Sequence, residues 1–440
     1  MTAMNSIPES AALADVAVDA TLALPRFEDG FINIQEVLRQ LAESVVNEIM
    51  SAEADQLCEA TRNSRNGYRE RRLVTCVGTL TLRIPKLRTG SFFPDDVIER
   101  YQRVDRAIVA AVSEMYATGT STRKVQKVAQ AMGIERLSKD QVSAICEHLD
   151  SEVEELVTRP LGASRTPYLW IDATYVKCRR GRRVASTAVV TAIGCDEGGW
   201  RRVLGISVVD TESYDSWLAF LRRVRARGVT GVQLVTSDAH EGLRRAIEEV
   251  FQGAAWQRCV VHLMRDCARA ASGSRSLQRR VSRIVAPVFR LKDAGAVRAA
   301  YHIAIEMLES CCKDAARILE EAEPDALAYL DFPASHWKRL RTNNVQERAN
   351  REIKRRSRVV QVFPSVASLE RLAGAVMCDM DEEWQEARYF SERRMAELYD
   401  ESRAARAEEP PTPERLSEWR LVAKRAIDAS LELADEMEAA

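Results

Sequence analysis

The sequence predicts an α/β protein with a mixed β-sheet and an all-helical insertion, preceded by a mainly helical region. Three observations predict this class. Within residues 166–262, strand-like runs occur together with helical stretches. Residues 263–335 contain helical stretches and no strand signal, and one more helical stretch follows at about 343–357. A chain of 440 residues is too long for one compact unit, so about three domains are expected.

The order of elements within residues 166–262 favours one type of sheet. The runs TPYLWIDATYVKC, ASTAVVTAIGCDE and WRRVLGISVVD predict three strands, and DSWLAFLRRVRARG predicts a helix that ends at Gly228. VQLVTSDAH and WQRCVVH predict two more strands, which the helix EGLRRAIEEVF separates. A meander of three strands followed by alternating helices and strands indicates an RNase H-like mixed sheet, whereas a Rossmann fold would alternate from its first strand.

The region before the sheet is predicted to be mainly helical and to follow a mobile, Ala-rich arm at residues 1–30. Apolar residues at helical spacing predict a helix over residues 32–57. A strand or hairpin, closed by Pro85 and Pro94, is predicted by three alternating apolar residues, Leu80, Leu82 and Ile84.

Residues 105–156 predict three helices. The middle one, STRKVQKVAQAMG, carries one apolar stripe and ends at Gly133. The third begins with a capping box at residues 138–141. Two short helices joined by a turn with glycine fit a helix-turn-helix, and they equally fit a plain helical bundle, so both alternatives stay open.

The composition, 46% hydrophobic and 29% charged, is ordinary for a soluble globular protein. Ten cysteines are scattered along the chain, and the sequence shows neither a secretory signal nor a run of 18 apolar residues. We therefore expect a cytoplasmic protein with reduced thiols and no membrane contact, acting at the nucleoid if it binds DNA.

The net charge of −1 hides an uneven distribution. Residues 61–90 and residues 338–358 each carry a net charge of +7, whereas residues 1–60 carry −9 and the last forty carry −4. Basic islands between acidic ends indicate an enzyme that binds a polyanion, although solvated charged helices without a partner would give the same pattern.

Three acidic residues stand where strand and helix positions can converge. Asp172 lies inside the first strand, where an unpaired carboxylate is costly unless a metal ion neutralises it. Asp238 ends the fourth strand, and Glu347 lies on the basic helix at 343–357. Mg²⁺ prefers such oxygen ligands, and two ions can serve an in-line phosphoryl transfer. As alternatives, Asp172 fits a hydrogen-bonding acid at a strand end, and Asp238 fits a cap of the next helix.

These motifs together resemble bacterial Mutator-type insertion-sequence transposases over about residues 35–400. The matching stretches are RNGYRERR, TLTLRIPKLRTGSFFP, EMYATGTSTRKVQ, IDATYVK, VTSDAHEGL, CVVH and TNNVQERANREIKRRSRVVQVFP. The resemblance implies a DDE active site of the RNase H-like superfamily, whose catalytic carboxylates fall on Asp172, Asp238 and Glu347. The sequence departs from the family at TNNVQE, because the family more often has an apolar residue where Gln346 stands.

The resemblance also implies the reaction and its partners. We expect DNA transposition: binding to the terminal inverted repeats of an insertion sequence, Mg²⁺-dependent strand cleavage that frees a 3′-OH, and strand transfer. Two Mg²⁺ ions, with Mn²⁺ as a substitute, double-stranded DNA, and a homodimer or larger assembly are expected. The alternatives are an RNase H-like nuclease or resolvase that cuts without joining, and a catalytically inactive, transposase-derived DNA-binding protein.

A C-x-x-H motif, Cys259 and His262, stands beside the acids in the family that the chain resembles. Three roles stay open for it: packing and hydrogen bonding, support of the active site, or a zinc site completed by Cys267 or His240. Asn344, which begins the NxxE pattern, is a third candidate for active-site support.

The predicted DNA contacts are basic and fall into three groups. The first two are Arg69, Arg71, Arg72, Lys86 and Arg88 in the hairpin region, and Arg123 and Lys124 in the middle helix. The third is the row formed by Arg351, Lys354 and Arg358, at steps of four, seven and eleven from Glu347 on one helix face. Glu352 falls away from that row and is expected to pair with Arg348 or Arg356.

The predicted domains follow from these assignments. Residues 31–160 form the DNA-binding region, and residues 161–270 with 336–380 form the catalytic domain. Residues 271–335 form the helical insertion, and residues 381–440 form a C-terminal helical tail.

Overall fold

The computed structural model describes residues 24–75, 77–94, 108, 111–112, 114–115, 120, 122–131, 148–400 and 410–439. The chain forms two compact units, Met1–Val112 with Thr122–Val142, and Ser113–Ser121 with Ser143–Ala440. Most of the predicted arm, the capping box at residues 138–141 and the end of the middle helix at Gly133 lie outside the described residues.

In the first unit a long helix packs against a two-stranded hairpin. Helix α1, Ile34–Thr61, begins after Asn33, whose side chain accepts a hydrogen bond from the backbone amide of Glu36 at 3.1 Å. The strands of this unit are β1 Arg65–Thr75 and β2 Gly78–Leu87, and helix α2, Thr122–Ala131, lies further along the chain. Strands β1 and β2 are antiparallel, so the predicted first helix and hairpin are confirmed.

The alternating apolar residues of the hairpin form a small core with α1. Leu80, Leu82 and Ile84 are buried in one cluster with Met50 of the helix. Pro85 does not close the strand as the sequence predicts, because β2 continues to Leu87. The proline stands near an irregularity in the β1 pairing, a place where a missing backbone N–H is tolerated.

The second unit contains a five-stranded mixed sheet. Its strands are β3 Tyr168–Arg180, β4 Arg183–Cys195, β5 Arg201–Val209, β6 Leu234–Ser237 and β7 Ala255–Arg258. They lie side by side in the order β5-β4-β3-β6-β7. Neighbours among β3, β4 and β5 are antiparallel, whereas β6 is parallel to β3 and β7 is parallel to β6. The predicted α/β class with a mixed sheet is therefore confirmed.

Helices cover the sheet and form the rest of the second unit. Those before β7 are α3 His148–Thr158, α4 Tyr214–Ala226 and α5 Glu241–Val250. Those after it are α6 Val260–Ala270, α7 Arg275–Val285, α8 Ala294–Cys311, α9 Lys313–Ala326, α10 Trp337–Leu340, α11 Asn344–Val360, α12 Val366–Gln385, α13 Glu392–Leu398 and α14 Pro413–Ala439. Residues 263–335 are helical apart from turns, as the sequence predicts.

The two faces of the sheet bury separate hydrophobic clusters. Successive side chains of a strand point to opposite faces, so Leu169 and Ile171 of β3 pack with residues of α4 and α5. Tyr168 and Trp170 point the other way and pack with residues of α11 and α12. Asp172 shares this second face, and helix α11 therefore runs over the acidic side chain of the central strand.

The fifth strand is shorter than the sequence predicts. The prediction of a strand over WQRCVVH is wrong beyond Arg258, because Cys259 leads directly into helix α6. The backbone amide of Cys259 still donates to Ser237 (2.9 Å), but that of Val260 donates to Arg341 (3.0 Å), outside the sheet. The β-branched pair Val260 and Val261 favours a strand locally, and this tertiary contact overrides that preference.

Among the described residues, no helix combines the length with the apolar character that crossing a membrane requires.

Candidate active site

Three acidic side chains from three elements line one cleft of about 590 Å³. Asp172 lies in the middle of β3, and Asp238 directly follows β6. Because β3 and β6 are parallel neighbours, paired from Tyr168 with Leu234 onward, both acids reach the same end of the cleft. Glu347 enters it from the first turn of α11. The structure thus brings together the three carboxylates that the sequence singled out.

Asp172 is buried, and its carboxylate is held from two sides. The backbone amide of Ala173 donates to one oxygen (2.8 Å), and the side-chain amide of Asn350 donates to the other (2.8 Å). Burial, and after it the nearby charge of Asp238, raises the pKa of Asp172 to about 7. A carboxyl group in this position is stabilised either by binding a proton or by a nearby cation.

Three amide side chains dock helix α11 on the sheet, and they were not predicted from the sequence. Asn343 donates to the backbone oxygen of Ile171 (3.1 Å), and Gln346 donates to that of Trp170 (2.6 Å). Asn350 completes the set through Asp172. Positions separated by three and four residues share one helix face, so the set fixes how α11 lies along β3 and where Glu347 stands.

Gln346 explains the departure of this chain from the family pattern. The side chain is fully buried, and its oxygen accepts a hydrogen bond from the hydroxyl of Thr191 (2.7 Å) on strand β4. Its amide nitrogen also lies 3.2 Å from the backbone oxygen of Thr191. A polar side chain is acceptable at this buried position because each of its groups is hydrogen-bonded.

The cationic row of α11 lines the same cleft. Arg351, Lys354 and Arg358 are exposed lining residues, as the helical spacing predicts. Glu352 also borders the cleft but forms an ion pair with Arg355 at 2.9 Å.

The two arginines predicted to pair with Glu352 form their shorter ion pairs with other acids. Arg348 pairs with Glu383 (2.7 Å), so that predicted pairing is wrong. Arg356 pairs with Asp379 (2.8 Å) and reaches Glu352 only at 4.0 Å.

Comparison with known proteins identifies the family. The family model described as "Transposase, Mutator family" matches residues 16–387. The chain belongs to the Mutator family of transposases. It is 39% identical over 363 residues to the transposase for insertion sequence element IS1081 of Mycobacterium tuberculosis, covering 81% of this chain and 87% of that protein. It is 37% identical over 350 residues to the transposase for IS256 in transposon Tn4001 of Staphylococcus aureus, covering 79% and 89%.

A third relative of this Mutator-family transposase is the transposase for IS406 of Burkholderia multivorans. The two are 35% identical over 372 residues, which is 82% of this chain and 94% of the relative. The match to the family model, over residues 16–387, includes every residue that lines the cleft.

The C-x-x-H motif of this transposase lies against Asp238. The imidazole Nδ1 of His262 contacts the Asp238 carboxylate, and this contact, followed by one with Cys259, raises the pKa of His262 to about 10. Cys259 is fully buried, and its sulfur accepts the backbone amide of Asn343 (3.3 Å). One ligand atom from each of Asp238, Cys259 and His262 lies within 4.8 Å of the others, a set that could also hold a metal ion.

The residues expected to complete a zinc site lie elsewhere. The side chain of His240 caps helix α5 by accepting the backbone amide of Leu243 (3.2 Å). Cys267 is buried further along α6 and is outside the metal-ligand cluster found among the described residues. Asn344 is exposed and does not line the cleft, whereas its neighbour Asn343 is buried and bonded to β3.

We expect His262 to act on strand cleavage by orienting Asp238. Replacing His262 with alanine should lower the cleavage rate by about 10- to 100-fold, because we expect Asp238 to hold a metal ion and a metal ligand without its orienting partner typically loses this much activity. Replacing it with asparagine, which keeps a donor near the Nδ1 position, should cost less. Both rates are measured over a range of Mg²⁺ concentrations. A different result would support a zinc site: the purified wild-type protein contains zinc, and both the Cys259→Ser and the His262→Ala variants have lost it.

The predicted cations of the hairpin do not share one face. Arg69 and Arg71 lie opposite Ile84 and Leu82 and stack on the ring of Phe93 at 5.7 and 5.8 Å. Arg72 is one residue further and points to the opposite face. Lys86 and Arg88 are exposed at the end of β2 and just beyond it. Arg123 and Lys124 lie in the first turn of α2.

Proposed function

We propose that this Mutator-family transposase is a DDE enzyme with an RNase H-like catalytic domain. The observation that carries the proposal is the meeting of Asp172, Asp238 and Glu347 in one cleft. The strand order β5-β4-β3-β6-β7, with the first acid on the central strand and the second after its parallel neighbour, supports the RNase H-like assignment. The substrate of the reaction is double-stranded DNA at the terminal inverted repeats of an insertion sequence.

The residues of the cleft fit two Mg²⁺ ions, with Mn²⁺ as a substitute. The three carboxylates supply the hard oxygen ligands that these ions prefer. The raised pKa of Asp172 supports the fit, because burial beside a second acid leaves this carboxyl group in need of a positive partner. When bound, the ions would activate the attacking oxygen and stabilise the leaving oxygen of a phosphodiester.

The side chains around the acids have roles of their own in this proposal. Asn350 and the amide of Ala173 orient the Asp172 carboxylate, and His262 orients that of Asp238. Arg351, Lys354 and Arg358 extend from the cleft along one helix face and bind the phosphates next to the reacting one.

The first unit is proposed to bind DNA as well. Its hairpin offers Arg72, Lys86 and Arg88 as exposed cations, with Arg69 and Arg71 at the rim of the hydrophobic cluster. The helix with Arg123 and Lys124 belongs to the same unit. Because two DNA ends must meet for transposition, we propose that the enzyme acts as a homodimer or larger assembly, in the cytoplasm and at the nucleoid.

Cleavage and joining, scored separately, test the proposed function. Full-length protein is incubated with Mg²⁺, Mn²⁺, Ca²⁺ or EDTA and a duplex that carries the ends of the element. We expect nicking at the ends and joining to a second duplex with Mg²⁺ or Mn²⁺, and neither with EDTA. Nicking without joining would support a nuclease or resolvase. Binding without either reaction would support an inactive DNA-binding protein.

A further inference from the structure

The turn between β3 and β4 carries an unusual concentration of positive charge. Its sequence is Arg179-Arg180-Gly181-Arg182-Arg183, and Lys177 precedes it on the same strand. Gly181 has φ of 59°, the left-handed conformation that a tight two-residue hairpin turn requires at this point. The tip is therefore a compact β-hairpin end with four arginine side chains around one glycine.

Among the described residues, most of these charges have no ion-pair partner. Arg180 forms an ion pair with Asp210. Lys177, Arg179, Arg182 and Arg183 are exposed, and the described residues give their side chains neither an ion pair nor a hydrogen bond. Like charges at this density repel one another, which destabilises the folded hairpin. Binding to a row of phosphates would replace this repulsion with attraction.

The hairpin is held firmly up to its tip. The β3–β4 pairing continues without interruption to Arg180 opposite Arg183. The segment after α11 adds a second anchor, since the Arg179 amide donates to Phe363 (2.8 Å) and the Phe363 amide donates to Lys177 (3.0 Å). Phe363 itself is fully buried. The arginines are thus presented at a fixed position instead of on a loose loop.

The same anchor joins the hairpin to the basic row of α11. Helix α11 ends at Val360, three residues before Phe363. Arg358 at the end of that helix and Arg179 on the hairpin therefore flank one short segment. The backbone contact with Phe363 thus ties the hairpin close to the end of the basic row, while the side chain of Arg179 points to the sheet face opposite α11.

We propose that the β3–β4 hairpin tip is a second phosphate-binding site for duplex DNA, some distance along the duplex from the reacting bond. Eight residues of strand separate Asp172 from Arg180, which is about 26 Å at about 3.3 Å per residue. That length corresponds to about eight base pairs of duplex at about 3.4 Å each. The site contacts backbone and does not select sequence. Its stated distance from the reacting bond rests on the proposed function of the cleft.

The salt dependence of binding tests the site. A variant with Arg179, Arg182 and Arg183 changed to alanine is compared with wild-type full-length protein on a 40-base-pair duplex of arbitrary sequence. Each lost phosphate contact should reduce the log–log salt slope by about 0.9, and the loss of all three contacts, the upper limit, by about 2.7. The advantage of the wild type would then grow by up to about fortyfold between 200 and 50 mM salt.

Two control variants isolate the effect. Changing the three arginines to lysine keeps the charge and should keep most of the slope. Changing Arg420, Lys424 and Arg425 to alanine removes the same charge from exposed positions on the acidic helix α14 and should leave the slope unchanged. An equal slope for the wild type and the hairpin alanine variant overturns the inference, as does an equal loss in the α14 variant.

A footprint on a duplex with the ends of the element tests the position. We expect the hairpin alanine variant to lose backbone protection centred about eight base pairs from the nicked bond. If the salt slope of the hairpin alanine variant is lower than that of the wild type but the wild type never cleaves DNA, the phosphate-binding site is supported and the proposed function is wrong. If the wild type cleaves and the footprint of the variant is unchanged, the phosphate site fails and the proposed function stands.

Discussion

Changing Asp172 or Asp238 to asparagine is expected to lower strand cleavage by about 10³-fold or more and to leave DNA binding nearly unchanged. Asparagine keeps the shape of the side chain but removes the negative charge that the metal ions require. A bound ion contributes several kcal/mol to the transition state, and each 1.36 kcal/mol is a factor of about ten in rate. Cleavage is measured under single-turnover conditions, and binding is measured in Ca²⁺.

The folded state of the Asp172→Asn variant should be at least as stable as that of the metal-free wild type. Burial raises the pKa of Asp172 to about 7, above its value in the unfolded chain. The folded state therefore favours the neutral form, and the free energy of unfolding of the wild type falls as the pH rises from about 4 towards 7. An asparagine removes this cost, and Asn350 can turn its amide oxygen towards the new donor.

Asp314→Asn is the matched control, because Asp314 is an exposed aspartate outside the cleft that pairs with Arg317, three residues further along the helix. It should leave both cleavage and binding unchanged. Near-wild-type cleavage by Asp172→Asn or Asp238→Asn would show that the cleft acids are not metal ligands. A loss of cleavage that accompanies unfolding would be visible as a lower melting temperature.

The second large effect is expected at Glu347 and not at Glu352. Both acids lie on α11 and border the cleft, so their glutamine variants form a matched pair. Glu347 stands in the first turn, beside the amide contacts that dock the helix on β3. Glutamine there removes a metal ligand, and cleavage should fall by about 10²-fold or more.

Glu352 makes an ion pair with the exposed Arg355, and such pairs contribute about 0–1 kcal/mol. Glu352→Gln should therefore retain cleavage within about fivefold of the wild type. Single-turnover cleavage of both variants is compared at saturating Mg²⁺. An inactive Glu352→Gln together with an active Glu347→Gln would move the third ligand by five residues and overturn the assignment.

The meeting of the three acids in one cleft and the order of elements along the chain could be predicted because their signals are local. Asp172 interrupts an apolar strand, Asp238 ends another, and the row from Glu347 to Arg358 follows from helical periodicity alone. Each of these signals lies within a few neighbouring residues. The mixed sheet then follows from the sequence of element types, since three consecutive strands do not begin a Rossmann fold.

The supporting contacts could not be predicted because they join residues that are distant in sequence. The hydrogen bond from Asn350 to Asp172 spans 178 positions, and that between Thr191 and Gln346 spans 155. The sequence predicted Asn344 as a supporting residue, but its neighbour Asn343 makes the contact with the sheet. A shift of one residue turns a helix by about 100°, so Asn344 faces solvent while Asn343 is buried. The helix that starts after Cys259 depends likewise on a backbone contact with Arg341.

The most direct test of the central claim is to locate the metal ions. Crystals of the full-length protein with a DNA end are soaked in Mn²⁺, and the anomalous scattering of manganese gives the ion positions. We predict Mn²⁺ in contact with the carboxylates of Asp172, Asp238 and Glu347, and its loss in Asp172→Asn crystals. An ion held by Cys259, His262 and Asp238 alone, with Glu347 and Asp172 free of metal, would contradict the account.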